Sequence, residues 1–170
     1  YERNSEGLAL AEDGQAIFVS FEGQHKVEAF DQVDAPARSL PDLPAQASFD
    51  RNESLEALAV DPQGRLVLVS EAQEETGAGF PIWRLEQESW RKIGSIPSHR
   101  FFRPVGADFG PDGRLYLLER SFDLIGFSNR VRRFEVQDDW VSGETVLFHS
   151  KTGVHDNLEA VAVWRDERDH

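Results

Sequence analysis

Short apolar runs separated by glycine-containing turns recur along the sequence. Residues 55–60 (LEALAV) and 65–71 (RLVLVSE) flank the turn DPQG, and residues 106–110 (GADFG) and 114–120 (RLYLLER) flank PDG. Such turns favour β-hairpins, because Gly accepts positive φ and Pro presets its own φ. The pattern predicts antiparallel strands, and no stretch reads as a long amphipathic helix.

Two further strands are predicted after each of these hairpins. Residues 81–87 (PIWRLEQ) and 90–97 (WRKIGSIP) follow the first hairpin, and residues 129–137 (NRVRRFEVQ) and 143–150 (GETVLFHS) follow the second. The segment VRRFEV alternates polar and apolar residues, which is typical of a strand with one solvated face. Each unit is therefore expected to contain four strands.

The units repeat along the chain. Gly14, Gly64 and Gly113 mark equivalent turns spaced by about fifty residues. A shared motif of Glu, small or apolar residues, Ala and an aliphatic residue occurs as NSEGLALA, ESLEALAV and, near the C-terminus, NLEAVAVW. Four antiparallel strands in forty to fifty residues describe a blade of a β-propeller. The sequence predicts an all-β propeller with four-stranded antiparallel blades of about 50 residues.

These residues predict one domain over 1–170, a partial ring of about three and a half blades. The blades are expected at approximately 4–50, 51–100, 101–153 and, incomplete, 154–170. The first strand of each blade should line the central channel, where small residues such as Ala57 and Ala160 pack. An open ring exposes at least one edge. We expect further sequence to complete the ring. The alternative is a homodimer in which two chains complete each other.

Composition excludes several classes of protein. With 170 residues and 39% hydrophobic residues, the chain can bury a sizeable core. A net charge of −13 argues against nucleic acid as a partner, because phosphate binding needs clustered Lys and Arg. The absence of Cys excludes disulfides and thiolate zinc sites. No apolar run is long enough to span a membrane.

Glutamates are predicted to gather at one end of the channel. Residues equidistant from a hairpin turn face each other, so Glu56 is expected opposite Glu71 at the open end of its hairpin, and Glu6 opposite Glu22. The same reasoning places Glu119 at this end of the third blade, opposite Gly106, and Glu159 at the start of the fourth blade.

Two interpretations of these carboxylates stay open. Convergent carboxylates could hold Ca²⁺, which takes six to eight oxygen ligands, and their mutual repulsion would raise pKa values towards those useful in acid–base catalysis. Alternatively, each Glu accepts backbone hydrogen bonds from the neighbouring blade and fixes the register between blades. The sequence does not choose between these two roles.

Three segments resemble the phytase-like, esterase-like family of bacterial β-propeller proteins. They are NESLEALAVDPQGRLVLVSE, DGRLYLLERSF with NRVRRFEV, and NLEAVAVWRDE, and LERSF followed by RVRRFEV is the most specific. The resemblance implies a propeller of about six blades, usually exported to the periplasm or secreted, that hydrolyses phosphoesters or esters. The matching motif positions are Asn52, Glu56, Glu71, Glu119, Arg120, Asn157 and Glu159. Ala57 and Ala160 stand where the family commonly has Gly.

The resulting hypothesis is a hydrolase of a phosphorylated or esterified small molecule, with calcium at the channel mouth. The candidate catalytic residues are Glu56, Glu119, Arg120 and Glu159. Arg120 and Asn157 would bind substrate, and Arg120 suits phosphate because its guanidinium donates two parallel hydrogen bonds. The candidate calcium ligands are Glu56, Glu71, Glu159 and Asp156.

Structural and functional alternatives accompany this hypothesis. Arg120 could instead pair with Glu119 to lock adjacent strands, and Asp156 could belong to a plain turn with a local hydrogen bond. The whole protein could be a non-catalytic extracytoplasmic propeller that binds a ligand or a protein partner. It could also be a lactonase-like propeller with one divalent metal. A serine esterase of the α/β-hydrolase type is disfavoured, because the sequence contains no G-x-S-x-G motif.

Overall fold

The chain folds as β-sheet throughout the part that the structure describes. The computed structural model describes residues 4–11, 14–21, 25–44, 55–74, 77 and 79–166. Within these ranges the chain forms twelve β-strands and no helix, and so no helix long and apolar enough to cross a membrane. The all-β class predicted from the hairpin pattern is confirmed.

The strands form three antiparallel four-stranded sheets, in which neighbours along the chain are neighbours in the sheet. Sheet 1 contains β1 (Ser5–Leu10), β2 (Ile17–Phe21), β3 (Lys26–Phe30) and β4 (Arg38–Ser39). Sheet 2 contains β5 (Ala57–Val60), β6 (Leu66–Val69), β7 (Gly79–Glu86) and β8 (Ser89–Pro97). Sheet 3 contains β9 (Arg103–Phe109), β10 (Leu115–Asp123), β11 (Gly126–Val136) and β12 (Val141–His149).

The first strands of the three sheets lie next to one another. Strand β5 contacts both β1 and β9, and β1 also contacts β9. Strands β8 and β12, the last strands of sheets 2 and 3, form a second contact, apart from the one between the first strands. Each sheet therefore stands with its first strand near a common axis, which is the blade arrangement that the repeat predicted.

Sheet 2 buries both of its faces, because successive strand residues point to opposite sides. Ala57 and Val67 pack with Ala107 and Leu115 of sheet 3. Leu58, on the opposite face of β5, packs in a second cluster that includes residues of sheet 1. This two-sided burial explains why β5 and β6 are continuous apolar runs rather than alternating ones.

The strand register differs by one residue from the sequence prediction in all three inner hairpins. Ala57 pairs with Val69, and Gly106 pairs with Leu118. In sheet 1, Leu8 pairs with Val19. The turns explain the shift, since the Gly64 N–H donates to Asp61 O and the Asp61 N–H to Arg65 O, which closes the loop one residue earlier. The expected pairing of Glu56 with Glu71, and of Glu119 with Gly106, is therefore wrong.

The fourth copy of the motif lies beside sheet 3 without joining a sheet. Residues 154–166 form no strand. They run along β9, where the Val163 N–H donates to Asp108 Oδ2 at 2.6 Å. Gly106 permits this approach, because a Cβ at that position would lie 3.2 Å from Glu159 O. The segment 154–166 thus occupies the position of the next inner strand.

Replacing Gly106 with valine should displace this segment. The added side chain would crowd the backbone of Glu159 and Ala160, with distances of 3.2 and 3.3 Å already at the Cβ. We expect faster hydrogen exchange of the Val163 amide in Gly106→Val than in the wild type, measured by NMR. Gly64→Asn serves as a control, because Asn tolerates the positive φ and the position is open. Unchanged exchange in Gly106→Val would contradict the close approach.

An ion cluster joins sheets 2 and 3 away from the axis. The buried Arg84 donates to Glu86 Oε1 at 2.6 Å and contacts Asp138 Oδ1 at 3.2 Å. Arg91 donates to Glu86 Oε2 at 2.7 Å and also pairs with Asp139. Hydrogen bonds from Arg91 and then Arg84 lower the pKa of Glu86 to about 2.

The lowered pKa of Glu86 makes this cluster sensitive to acid. A carboxyl whose folded-state pKa lies below its ordinary value of 4.5 stabilises the fold above that value, and the contribution is lost as the pH falls towards 2. We therefore expect Glu86→Gln to be less dependent on pH than the wild type across this window, in urea unfolding measured at several pH values. Parallel stability curves for the two proteins would contradict this role.

Candidate functional site

Three of the residues singled out in the sequence converge where β10 approaches the segment 154–166. Arg120 Nη1 donates to Asn157 Oδ1, and Asn157 Nδ2 donates to Glu159 Oε1. Arg120 Nη1 also lies 3.6 Å from Glu159 Oε1. The side chain of Arg120 is 23% exposed and that of Glu159 is 68% exposed. We call Arg120, Asn157 and Glu159 the mouth cluster.

Strand pairing fixes the position of Arg120. In the β10–β11 hairpin Arg120 pairs with Asn129 and Phe122 pairs with Phe127, so these four side chains share one face. The Arg120 guanidinium carbon lies 5.7 Å from the centroid of the Phe127 ring, a distance at which the ring attracts the cation. The Phe127 ring thus packs against the Arg120 guanidinium and stabilises its position.

Sequence reasoning missed Asn129 as a component of this site. Asn129 is fully buried, and its Nδ2 donates to the carbonyl oxygen of Asp156 at 3.1 Å. Its backbone N–H donates to Ser150 Oγ at 2.9 Å. Asn129 therefore anchors the start of the segment that carries Asn157 and Glu159. The only sequence signal was an Asn at the beginning of an otherwise alternating strand.

Asp156, a predicted calcium ligand, makes a local contact. Its Oδ1 accepts a hydrogen bond from the Asn157 N–H at 2.9 Å. This bond is of the kind expected from the plain-turn alternative, in which an Asp side chain binds nearby backbone. Asp156 thereby helps to set the backbone at Asn157.

Glu119 lies in the interface between sheets 2 and 3 and not at the mouth. It is fully buried, and its Oε2 accepts hydrogen bonds from Arg130 Nε at 2.8 Å and Arg132 Nε at 2.7 Å. Consecutive strand residues point to opposite faces, so Glu119 shares the face of Leu117, which packs towards sheet 2, while Arg120 faces the segment 154–166. An Arg–Glu pair that locks adjacent strands is present, but it joins Glu119 to Arg130 and Arg132 of β11, while Arg120 lies near Glu159.

The remaining predicted rim residues that the structure describes do not form a group of metal ligands. Glu56 and Glu71 are both partly buried and engaged in interactions, and Glu6 is exposed and likewise engaged. Glu22 and Asn52 lie outside the described residues. Among the residues that the structure describes, no three His, Asp or Glu side chains group closely enough to hold an ion. The four predicted calcium ligands, Glu56, Glu71, Asp156 and Glu159, are therefore not gathered into one such group.

A separate cavity lies at the turn end of the inner hairpins, opposite to the mouth cluster. It has a volume of about 530 Å³ and is lined by Val60, Asp61, Asp108 and Phe109 among other residues. Burial raises the pKa of Asp108, against the hydrogen bond from the Val163 N–H, which lowers it. Asp61 is already engaged by Arg65 Nε at 2.7 Å. None of the candidate catalytic, substrate-binding or calcium-binding residues named from the sequence lines this cavity.

Comparison with known proteins identifies a family. The model of the Phytase-like family, described as esterase-like activity of phytase, matches residues 1–170. The comparison with curated proteins finds no significant match.

Solved structures share the fold. A periplasmic gluconolactonase from Pseudomonas aeruginosa aligns with a TM-score of 0.55 and 19% identity, covering 91% of this chain and 41% of that chain. An alpha-L-arabinofuranosidase from Clostridium thermocellum aligns with a TM-score of 0.58 and 15% identity, covering 95% of this chain and 58% of that chain. Both are propeller-type proteins, and at these identities the likeness shows the fold alone. The chain spans about half the length of these structures.

Proposed function

We propose that this chain, which belongs to the Phytase-like family, hydrolyses a phosphate or carboxylate ester of a small molecule at the mouth cluster. The observation that carries the proposal is the convergence of Arg120 with Glu159 through Asn157. A cation and an exposed carboxylate held together in this way provide an anion-binding group and a proton acceptor within one site.

Arg120 is assigned the binding of the charged oxygens of a phosphate ester or of the carbonyl oxygen of a carboxylic ester. A guanidinium donates two parallel hydrogen bonds to phosphate or carboxylate, and it stabilises charge that develops in the transition state. The Phe127 ring, 5.7 Å from the guanidinium carbon, limits the directions in which the side chain can move. When substrate binds, its oxygens would replace Asn157 Oδ1 and Glu159 as partners of Arg120.

Glu159 is assigned the role of general base. Its side chain is 68% exposed, so water can reach the carboxylate. The water oxygen would form a bond to phosphorus or to the carbonyl carbon while its proton passes to Glu159. The bond to the ester oxygen then breaks, and the leaving alcohol takes up a proton from Glu159 or from solvent.

Two asparagines are assigned positioning roles. Asn157 Nδ2 donates to Glu159 Oε1 and so orients the carboxylate. Asn129 holds the backbone before Asn157 through its bond to Asp156 O at 3.1 Å. The steps assigned above use these side chains alone, so hydrolysis is expected not to depend on added calcium.

An extracytoplasmic location is part of the proposal. The family resemblance supports it, and the aligned gluconolactonase is itself described as periplasmic. The substrate is proposed to be a small molecule and not a nucleic acid, in keeping with the net charge of −13.

The test is turnover of p-nitrophenyl phosphate and p-nitrophenyl acetate by the full-length protein, in calcium and in EGTA. Hydrolysis of at least one ester is expected, equal in both buffers and strongly reduced in Arg120→Gln. Arg114→Gln is the matched control, because Arg114 precedes the same strand at its other end and pairs with Asp112. Absence of turnover with both esters, or equal turnover in Arg120→Gln, would overturn the proposal in favour of a binding module.

A further inference from the structure

The tip of the β10–β11 hairpin exposes apolar side chains beside the mouth cluster. Leu124 is 101% exposed, Ile125 is 83% exposed and Phe122 is 64% exposed. Isolated apolar residues are common on protein surfaces, but several contiguous ones mark an interaction site. We call Phe122, Leu124 and Ile125 the apolar tip.

The apolar tip is continuous with the mouth cluster. The Phe122 and Phe127 ring centroids are 4.9 Å apart, and the Phe127 ring in turn lies 5.7 Å from the Arg120 guanidinium carbon. Phe122 and Arg120 also share a face of β10, because they are two residues apart on one strand. A molecule held at Arg120 can therefore reach the tip along an aromatic surface.

The apolar tip is braced by polar contacts. Asp123 Oδ1 accepts a hydrogen bond from the Ile125 N–H at 3.0 Å, and Asp123 Oδ2 accepts one from the Thr152 hydroxyl at 3.1 Å. The Gly153 N–H donates to Phe127 O at 2.9 Å, and Gly126 has a φ of 146° that favours glycine. These bonds restrain the backbone of the turn that carries the exposed aliphatic side chains, which reduces the backbone entropy lost on binding an apolar group.

We propose that the substrate is amphiphilic, with an anionic or ester head group at Arg120 and an alkyl or acyl chain along Phe127 and the apolar tip. This inference rests on the proposed function and narrows its substrate class. The charge of Arg120 and the adjoining apolar surface complement such a molecule, whereas a compact polyanion would use Arg120 and leave the tip uncovered. A small amphiphile fits better than an anionic membrane, because the chain carries a net charge of −13.

The test is calorimetric titration of the full-length protein with methyl-, butyl- and octylphosphonate below their micelle concentrations. These compounds bind without being hydrolysed, so the test does not depend on turnover. Octylphosphonate is expected to bind at least about 30-fold more tightly than methylphosphonate, because the tip would partly bury the added methylenes. In the double variant Leu124→Ser/Ile125→Ser, this ratio should fall to about fivefold or less with methylphosphonate affinity unchanged.

Two controls accompany the titration. Val33→Ser removes another exposed aliphatic side chain, 89% exposed, from the loop between β3 and β4, and it should retain the wild-type ratio. Arg120→Gln should weaken binding of all three phosphonates together. An equal ratio in wild type and double variant, or octylphosphonate binding unaffected by Arg120→Gln, would overturn the inference.

Other occupants of the tip give distinct outcomes. Flotation with phosphatidylcholine vesicles that the double variant abolishes, without chain-length dependence for free phosphonates, would assign the tip to a lipid surface and overturn the inference. A concentration-dependent dimer lost in the double variant, again without chain-length dependence, would do the same in favour of protein association. Chain-length-dependent binding without any ester hydrolysis would overturn the hydrolase alone, and ester hydrolysis without chain-length dependence would overturn the substrate class alone.

Discussion

Glu159→Gln is expected to lower kcat by about 10²- to 10⁴-fold, the usual contribution of a general base. Glutamine keeps the size of the side chain and can still accept the hydrogen bond from Asn157 Nδ2, but it cannot take a proton from water. KM should change little, because substrate binding is assigned to Arg120. Steady-state kinetics with the better of the two p-nitrophenyl esters measures both parameters.

Glu135→Gln is the control for this substitution. Glu135 is 48% exposed on β11 and lies 3.4 Å from Arg114, at the end of sheet 3 remote from the mouth cluster. The kcat of the Glu135→Gln variant should equal that of the wild type. A wild-type kcat in Glu159→Gln would contradict the assignment of Glu159 as general base, even if Arg120→Gln were inactive.

Glu119→Leu is expected to destabilise the fold by about 3–5 kcal/mol. The substitution leaves the buried Arg130 and Arg132 without their shared carboxylate, and an uncompensated buried charge is costly. Of its two carboxylate partners, the Arg132 guanidinium would keep Glu144, at 3.1 Å. Urea unfolding measures the loss as a lower midpoint at an unchanged slope.

The same variant separates a structural role from a catalytic one. Below its unfolding transition, Glu119→Leu should retain the wild-type kcat, because Glu119 faces sheet 2 and Arg120 faces the substrate side. Glu135→Leu, an exposed site, should change stability little. A destabilisation below about 1 kcal/mol, as for a surface ion pair, would contradict the burial of this cluster.

The repeat and its turns were enough to predict the architecture. Gly64 and Gly113 predicted hairpins from turn chemistry alone, and the strands on either side form where the apolar runs lie. The register was wrong by one residue because it depends on how the turn closes, here through the bond from Gly64 N–H to Asp61 O. Such a shift exchanges the two faces of a strand.

The directions in which the Glu119 and Arg120 side chains point could not be predicted from the sequence for a related reason. Their alternation on one strand places them on opposite faces, but both faces of β10 carry buried leucines, Leu117 and Leu118. The sequence therefore could not indicate which face turns to sheet 2 and which to the segment 154–166. Asn157 and Glu159 were singled out because their motif repeats an earlier one, whereas Asn129 had no such repeat.

Arg120 and Glu159 are proposed to form one anion-binding and proton-accepting site. A crystal structure of the full-length protein with butylphosphonate would show whether they do. We expect phosphonate oxygens within hydrogen-bonding distance of the Arg120 guanidinium and facing the Glu159 carboxylate. Phosphonate bound elsewhere, for example in the turn-end cavity beside Asp108, with Arg120 still bonded to Asn157, would contradict it.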